Sequence, residues 1–302
     1  MLDGKRIVIS GAAQGLGAAY AHACASEGAA VVVVDVNADA AEQVVSSIRS
    51  AGGQAVSVHA DVSTWDACQR AVAAAVDSFG GIDGLVNNAG VNVNTVPTEE
   101  TESQIRRLFE VNVYGTFFLS ILASRAMLGS GSIVNVASGA HQGMRYSSVY
   151  GATKGAVASL TYCWANDLIA ASSEIRVNAI SPHARTPMFE SGARFYQENH
   201  GVGLNLAGPD PETNSPLVVF LLSDESRGLT GQVIRIEGGT HISINTHPAI
   251  LSPPCYRPSW TAREVAAAFR ESLFDLQQPV GLQYVESRVV PPPTELAVFE
   301  SN

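Results

Sequence analysis

Lysine is almost absent from this chain. Its 302 residues include sixteen arginines but only two lysines, Lys5 and Lys154. No block of basic residues occurs, and the formal net charge is −10, which argues against nucleic acid or an anionic membrane as a partner. No apolar run approaches the about 18 residues a membrane helix needs. The four cysteines, Cys24, Cys68, Cys163 and Cys255, are scattered rather than spaced as a disulfide framework. They read as buried free thiols in a reducing cytoplasm. The seven histidines show no His-x-x-x-His spacing and the cysteines no Cys-x-x-Cys, so no metal is expected. Met1 to Lys5 run straight into a strand pattern, so no secretory leader is expected either.

Against these absences stands a hydrophobic content of 46%, enough for a large core. Arg6 to Ser10 is a short apolar run ending in Gly11-Ala12-Ala13-Gln14-Gly15-Leu16-Gly17. An alanine-rich helical stretch follows, then a β-branched run, Ala30 to Val34, that ends at Asp35. Strand, glycine loop, helix, strand and acid make a βαβ unit. Glycines there let backbone N–H groups approach a pyrophosphate at a helix N-terminus. Asp35 stands where a carboxylate bonds both ribose hydroxyls and repels a 2′-phosphate.

The alternation continues. A helix is expected over 38–51 and a strand over 55–59 ending at Asp61-Val62. A helix over 64–79 precedes a strand over 84–87 that ends in Asn87-Asn88-Ala89-Gly90. One long helix over 102–128 carries Asn112, and a strand over 132–136 leads into Ser138. A helix then runs from Tyr150 to 170, with a strand over 175–180 before Ser181-Pro182. This pattern predicts an α/β fold of Rossmann type, a doubly wound parallel sheet flanked by helices. In such sheets ligands bind beyond the carboxyl ends of the strands, where Gly11, Asp35, Asp61, Asn87, Ser138 and Pro182 all fall.

From 185 to 214 the periodicity fades, and a mobile flap of short helices over the site is expected. A helix over 215–222 and a last strand over 232–236 precede Gly238-Gly239. Beyond 240, prolines break the chain around one amphipathic helix over 261–275. The division is a catalytic domain over 1–240 and an extension over 241–302, packed on the core or on a neighbouring subunit.

The sharpest chemical signal is Tyr150-x-x-x-Lys154, with Ser138 twelve residues upstream. Residues i and i+4 share one helix face. An ammonium near a phenol favours phenolate and draws its pKa down from about 10 toward working pH. Such a tyrosine can take a proton from an alcohol or give one to a ketone. A fixed hydroxyl, Ser138, can bond the same substrate oxygen.

These motifs, in this order and spacing, resemble the short-chain dehydrogenase/reductase family across about residues 3–240. The resemblance implies an NAD-dependent enzyme that interconverts a secondary alcohol and a ketone by hydride transfer. Tyr150 would be the acid/base, and Lys154 would lower its pKa and bond the nicotinamide ribose. Ser138 would orient the substrate oxygen, and Asn112 would hold a water in a proton relay with Lys154. Gly11, Gln14, Gly15, Leu16 and Gly17 would form the cofactor loop, with Asp35 and Val36 at the adenosine ribose. Asp61 and Val62 would flank adenine. Asn87, Ala89 and Gly90 would line the cofactor ribose, and Pro182 and Thr186 would meet the nicotinamide. Relatives that use NADP tend to carry a basic residue at the position of Gln14 or Val36, and neither is basic here. Relatives also pair the helices over 102–128 and 150–170 between subunits, which implies a homodimer or homotetramer.

One departure is Pro182-His183, where the family usually has Pro-Gly. Either His183 tunes the nicotinamide site or, the favoured reading, its side chain points away. His141, Met144 and Tyr146 lie on the loop after Ser138, where relatives shape substrate selectivity; each can equally just pack the loop. The segment Trp260 to Val265 and the helix after it resemble the extension in the peroxisomal multifunctional β-oxidation enzyme and bacterial hydroxysteroid dehydrogenases. That similarity points to a bulky hydrophobic substrate: a hydroxysteroid, a cyclic alcohol or a 3-hydroxyacyl-CoA. The competing readings are an NADPH-dependent 3-oxoacyl ketoreductase and a non-catalytic nucleotide-sensing protein on the same fold.

Overall fold

The computed structural model describes residues 1–200, 208–245 and 261–271. Strands and helices alternate from the start: β1 (Arg6–Ser10), α1 (Gly15–Ser26), β2 (Ala30–Asp35), α2 (Ala38–Ser50), β3 (Gln54–His59), α3 (Trp65–Phe79) and β4 (Gly84–Asn87). They continue as α4 (Glu102–Phe109), α5 (Gly115–Ala126), β5 (Ser130–Val136), α6 (Ser148–Ala170), β6 (Glu174–His183), α7 (Pro187–His200) and α8 (Ser215–Leu222). Strands β7 (Val233–Glu237) and β8 (His241–Ile244) and helix α9 (Ala262–Glu271) complete the described elements.

The sheet order is β3-β2-β1-β4-β5-β6-β7-β8. Every pair is parallel except β7–β8. The central strands β1, β2, β4, β5 and β6 are buried on both faces, and the period of two decides which side each residue feeds. Ile7, Ile9, Val31 and Val33 pack with α1, α2 and α8, while Val8, Val32 and Val34 pack with α3 and α5. The strand order reverses between β1 and β4, so the loops after these two strands part and open a crevice at their carboxyl ends. Arg6 ties the opposite ends together, donating from Nε (2.6 Å) and Nη2 (2.8 Å) to the two oxygens of Asp83. Burial pushes the Asp83 carboxyl up, but Arg6 outweighs it and holds the carboxyl below its usual range.

Four sequence expectations change. The helix expected over 102–128 is two helices joined by a π-helical turn, Glu110–Tyr114, with Asn112 inside it. Thr101 starts this rod with a capping box, accepting from the Gln104 backbone N–H while Gln104 accepts from its own. Among the described residues, the flap over 185–214 contains a 14-residue helix, α7, and a short 3₁₀ turn at Pro211–Asn214, so its main element is longer than expected. The strand expected to be last has a further neighbour, since Gly238 (φ +59°) and Gly239 (φ +68°) turn the chain into antiparallel β8. These left-handed angles suit a tight hairpin. Finally, Cys24 and Cys68 are buried free thiols, but Cys163 is exposed; Cys255 lies outside the described residues. The amphipathic helix expected over 261–275 is described as far as Glu271. Among the described residues no helix is long and apolar enough to cross a membrane, and no acidic, His or Cys group is arranged to hold a metal.

Candidate active site

At the carboxyl edge of the sheet lies a cavity of about 900 Å³. Gly11, Gln14, Gly15 and Leu16 line it, as do Asp35 and Val36 after β2, Asp61 and Val62 after β3, and Ala89 and Gly90 after β4. Ser138, Tyr150, Lys154, Pro182 and Thr186 line its other end. A second cavity of about 720 Å³, between α1, α2 and α8, contains none of these residues.

The glycine loop is shaped by close packing. Gly11 has φ +62°, and a Cβ there would stand 2.7 Å from Ala89 Cα. A Cβ at Gly17 would overlap the Gly11 carbonyl. Gly17 therefore packs α1 against the loop instead of lining the cavity. The Ser10 hydroxyl accepts from the backbone N–H of both Asn88 and Ala89 at 3.1 Å, which fastens the loop after β4 to the end of β1. Gln14, at the N-cap of α1, makes no side-chain cap bond, and the first turn carries no acid. An anion beside it would meet uncapped N–H groups. Asp35 accepts from Ala13 N at 3.0 Å and Asn37 N at 2.9 Å, one bond to each carboxylate oxygen. At Asp61, burial pushes the carboxyl up, but hydrogen bonds from Ser63 and the charge of Arg107 outweigh it and hold the group below its usual range.

Two expected residues turn inward instead of into the cavity. Asn87 is 4% exposed, and its amide donates to Ser120 Oγ (2.8 Å) and Asn135 Oδ1 (2.9 Å). Asn112 is fully buried, with Nδ2 donating to Val91 O (2.9 Å) and Thr153 Oγ1 (3.0 Å) and Oδ1 accepting from Val91 N (2.8 Å). Its side chain thus staples the loop after β4 to α6.

The reactive end is built on β5 and α6. Strand β5 delivers Ser138, whose hydroxyl accepts from Ala140 N (3.2 Å) and hydrogen-bonds Tyr150. Lys154, 4% exposed, donates from Nζ to Val136 O at 2.7 Å and stands 5.7 Å from the centre of the Tyr150 ring. Burial pulls its ammonium down to about 8. Burial also raises the Tyr150 phenol above its ordinary value, and the Ser138 hydrogen bond only partly opposes this. The sequence expectation that the Lys154 ammonium draws the phenol down is corrected to this extent: burial moves it the other way. Desolvation of a buried hydroxyl exceeds the pull of an ammonium that bonds a carbonyl instead.

The far end of the cavity comes from the loop after β4 and from α7, inside the flap the sequence expected over the site, though none of the residues they supply here was named. Asn92, Asn94, Met188, Phe189, Ala193 and Tyr196 line it, together with Met144. Thr186 starts α7 by accepting from Phe189 N at 3.2 Å. His183 also lines the cavity, its ring edge-on to Phe189 at 5.8 Å, so the reading that it points away is corrected. On the floor, Arg235 ion-pairs with Glu237 and donates to Ser181 Oγ at 3.3 Å. The period of two along β7 was the available signal for that pair, since Ile234 and Ile236, which alternate with them, are core residues. For α7 the signal was weak, because Ala193 is its one core residue among those described.

A nucleotide-sized crevice at the switch point of a parallel sheet, with a buried lysine and a phenol at its end, defines a nicotinamide-dependent oxidoreductase. The family model described as "Enoyl-(Acyl carrier protein) reductase" matches residues 11–241. An uncharacterized oxidoreductase of Methylorubrum extorquens is 40% identical over 245 residues, covering 79% of this chain and 98% of that protein. The trans-4-hydroxycyclohexanecarboxylate dehydrogenase of Sinomonas cyclohexanicum is 37% identical over 246 residues, covering 78% and 92%. A crystal structure of a short chain dehydrogenase from Mycobacterium avium superposes with a TM-score of 0.81 at 32% identity, covering 93% of this chain and 98% of that one. The chain belongs to the short-chain dehydrogenase/reductase family, whose members bind NAD or NADP.

Proposed function

We propose that this enzyme is an NAD-dependent dehydrogenase that interconverts a bulky, hydrophobic secondary alcohol and its ketone. The observation that carries the reading is the Ser138–Tyr150 hydroxyl pair, set in a cavity whose far wall is Met144, Met188, Phe189 and Tyr196. One hydroxyl can orient a substrate oxygen while the other moves its proton. The residues fit a dinucleotide: a loop no side chain could enter at Gly11, uncapped N–H groups at α1, and acids at the adenosine end. When bound, it would accept or donate the hydride. Gln14, Gly15 and Leu16 would hold its pyrophosphate, Val36 and the Asp61-Val62 pair its adenine, and Thr186 with Pro182 its carboxamide. Lys154 would bond the nicotinamide ribose. Asn112 would act through its backbone carbonyl, which accepts the Thr116 hydroxyl at 2.8 Å and keeps a second lone pair, since its side chain is engaged with Val91 and Thr153. A role for Asn87 at the ribose would likewise be indirect, through the loop it anchors.

The named activity of the Sinomonas relative, on a hydroxylated cyclohexane, supports a ring alcohol as substrate. Hydroxysteroids, cyclic alcohols and 3-hydroxyacyl-CoA esters make the panel to test. NADH formation with one of them supports the reading. Tight NAD binding without turnover on any would point instead to a nucleotide sensor. The free thiols Cys24, Cys68 and Cys163 suit a reducing compartment, and the reading includes a cytoplasmic location.

Asp35 sets the cofactor. Each of its oxygens already holds a backbone N–H, so the carboxylate is fixed and cannot swing away from a 2′-phosphate. NAD should be preferred over NADP by at least about tenfold in kcat/KM, which is about 1.4 kcal/mol. Equal kcat/KM for the two would reject the assignment and reopen the NADPH-dependent ketoreductase reading.

The reading also includes assembly as a homodimer or homotetramer. Ile105 (38% exposed), Tyr114 (49%) and Ile169 (62%) leave apolar surface on the rod of α4 and α5 and on α6. The extension beyond 240 would cover an interface or the site. Light scattering at micromolar concentration should give a multiple of the chain mass; a monomer would end this part of the proposal.

A further inference from the structure

Tyr146 lies four residues before Tyr150 and does not line the cavity. It has φ +58°, left-handed backbone that a bulky side chain rarely adopts. Its neighbours hold it there. Its ring packs edge-on to Tyr196 at 5.4 Å and against Phe195 at 5.8 Å, both on α7. Its carbonyl accepts from Thr95 N at 3.0 Å and Asn94 Nδ2 at 3.3 Å. Tyr196 returns the contact, donating its hydroxyl to Arg145 O at 2.7 Å. Three segments thus meet at one residue: the loop after β4 at its carbonyl, α7 at its ring, and the segment entering α6, of which it is part. Of the aromatic residues in this knot, Tyr196 faces the cavity.

We propose that Tyr146 is a positioning residue for substrate selection. It pins α7 to the segment that carries Tyr150 and, through Tyr196, fixes the far wall of the substrate end. The proposal rests on the dehydrogenase reading for its kinetic consequence, but the pinning itself can be measured without turnover. A substrate long enough to reach Tyr196 would feel the wall; a small one would not.

The test uses the full chain with Tyr146→Phe and Tyr146→Asn. Asparagine tolerates the left-handed backbone, so it removes the ring without adding strain. Phenylalanine keeps the ring. Hydrogen exchange of the α7 amides should quicken by about tenfold in Tyr146→Asn, the scale expected for losing two aromatic contacts, and remain near wild type in Tyr146→Phe. Unchanged exchange in Tyr146→Asn overturns the proposal, whatever the enzyme turns over. With cyclohexanol and a fused-ring alcohol such as decahydro-2-naphthol, Tyr146→Asn should raise KM about tenfold for the larger alcohol only, with kcat little changed, and Tyr146→Phe should restore it. Equal losses of kcat on both alcohols would mean that Tyr146 merely holds the start of α6, which also overturns it. Failure of the wild-type chain to oxidise any alcohol or reduce any ketone would instead count against the dehydrogenase reading, leaving the exchange result to judge the pinning.

Discussion

Tyr150→Phe is expected to lower kcat by about 10²–10⁴-fold, the usual contribution of general acid–base catalysis, while the nicotinamide cofactor still binds. The substitution keeps the ring and removes the one hydroxyl that bonds Ser138 in the cavity. Because burial raises the phenol, it is protonated at neutral pH. A protonated phenol is an acid, ready to give its proton to a forming alkoxide in ketone reduction. Alcohol oxidation needs the deprotonated form. Its rate should therefore climb as pH rises through the alkaline range, while reduction stays level and falls only when the phenol ionises. Initial rates in both directions between pH 6 and about 10 would read this directly. Near wild-type kcat in Tyr150→Phe would remove Tyr150 from the mechanism and turn attention to His183, the histidine that lines the same cavity.

Lys154→Met should move turnover and stability in opposite directions. An unfolded lysine titrates near about 10.4, and burial brings the folded value down to about 8. Below pH 8 the fold therefore carries an ammonium in an environment that disfavours it. Between 8 and 10.4 the unfolded chain binds a proton that the folded chain has released, so wild-type stability rises with pH across that window. Methionine removes the burial cost, offset by the loss of the bond to Val136 O. At pH 7 the variant should be more stable by on the order of 1–3 kcal/mol, and the gain should shrink as pH climbs through 8 to about 10.4. Turnover should fall by about 10²-fold or more. Paired denaturant titrations at pH 7 and 10 would decide it: a less stable Lys154→Met at pH 7 would mean that the buried ammonium carries no such cost.

Most of the fold was legible because a parallel sheet buried on both faces writes itself as short β-branched runs. Val31 to Val34 need no partner to be recognised. The site was legible for a related reason: its groups stand at strand ends, where Asp35, Asp61 and Ser138 interrupt apolar runs. What was missed failed in specific ways. Ile242 and Ile244 are both exposed, so β8 has no buried stripe to betray it, and Gly238-Gly239 read as a stop instead of a hairpin. Asn87 and Asn112 are polar residues at the right addresses whose side chains face inward, and only packing distinguishes the two directions. The Tyr150 shift was misjudged because a pairwise argument from Lys154 omits desolvation, which depends on every neighbour at once.

The π-helical turn at Glu110–Tyr114 inserts one residue into a rod that otherwise keeps helical spacing. One residue of helix is about 100° of rotation, so the faces of α4 and α5 are out of phase. Upstream, Arg107 is aimed at Asp61 on the wall of the crevice. Downstream, Leu119 and Ala123 are aimed into the core. A single rod thus serves two masters that need not agree on a common stripe. The turn lets one continuous segment present Arg107 to Asp61 and Leu119 to the core, with Asn112, held by Val91 and Thr153, at the point of slippage.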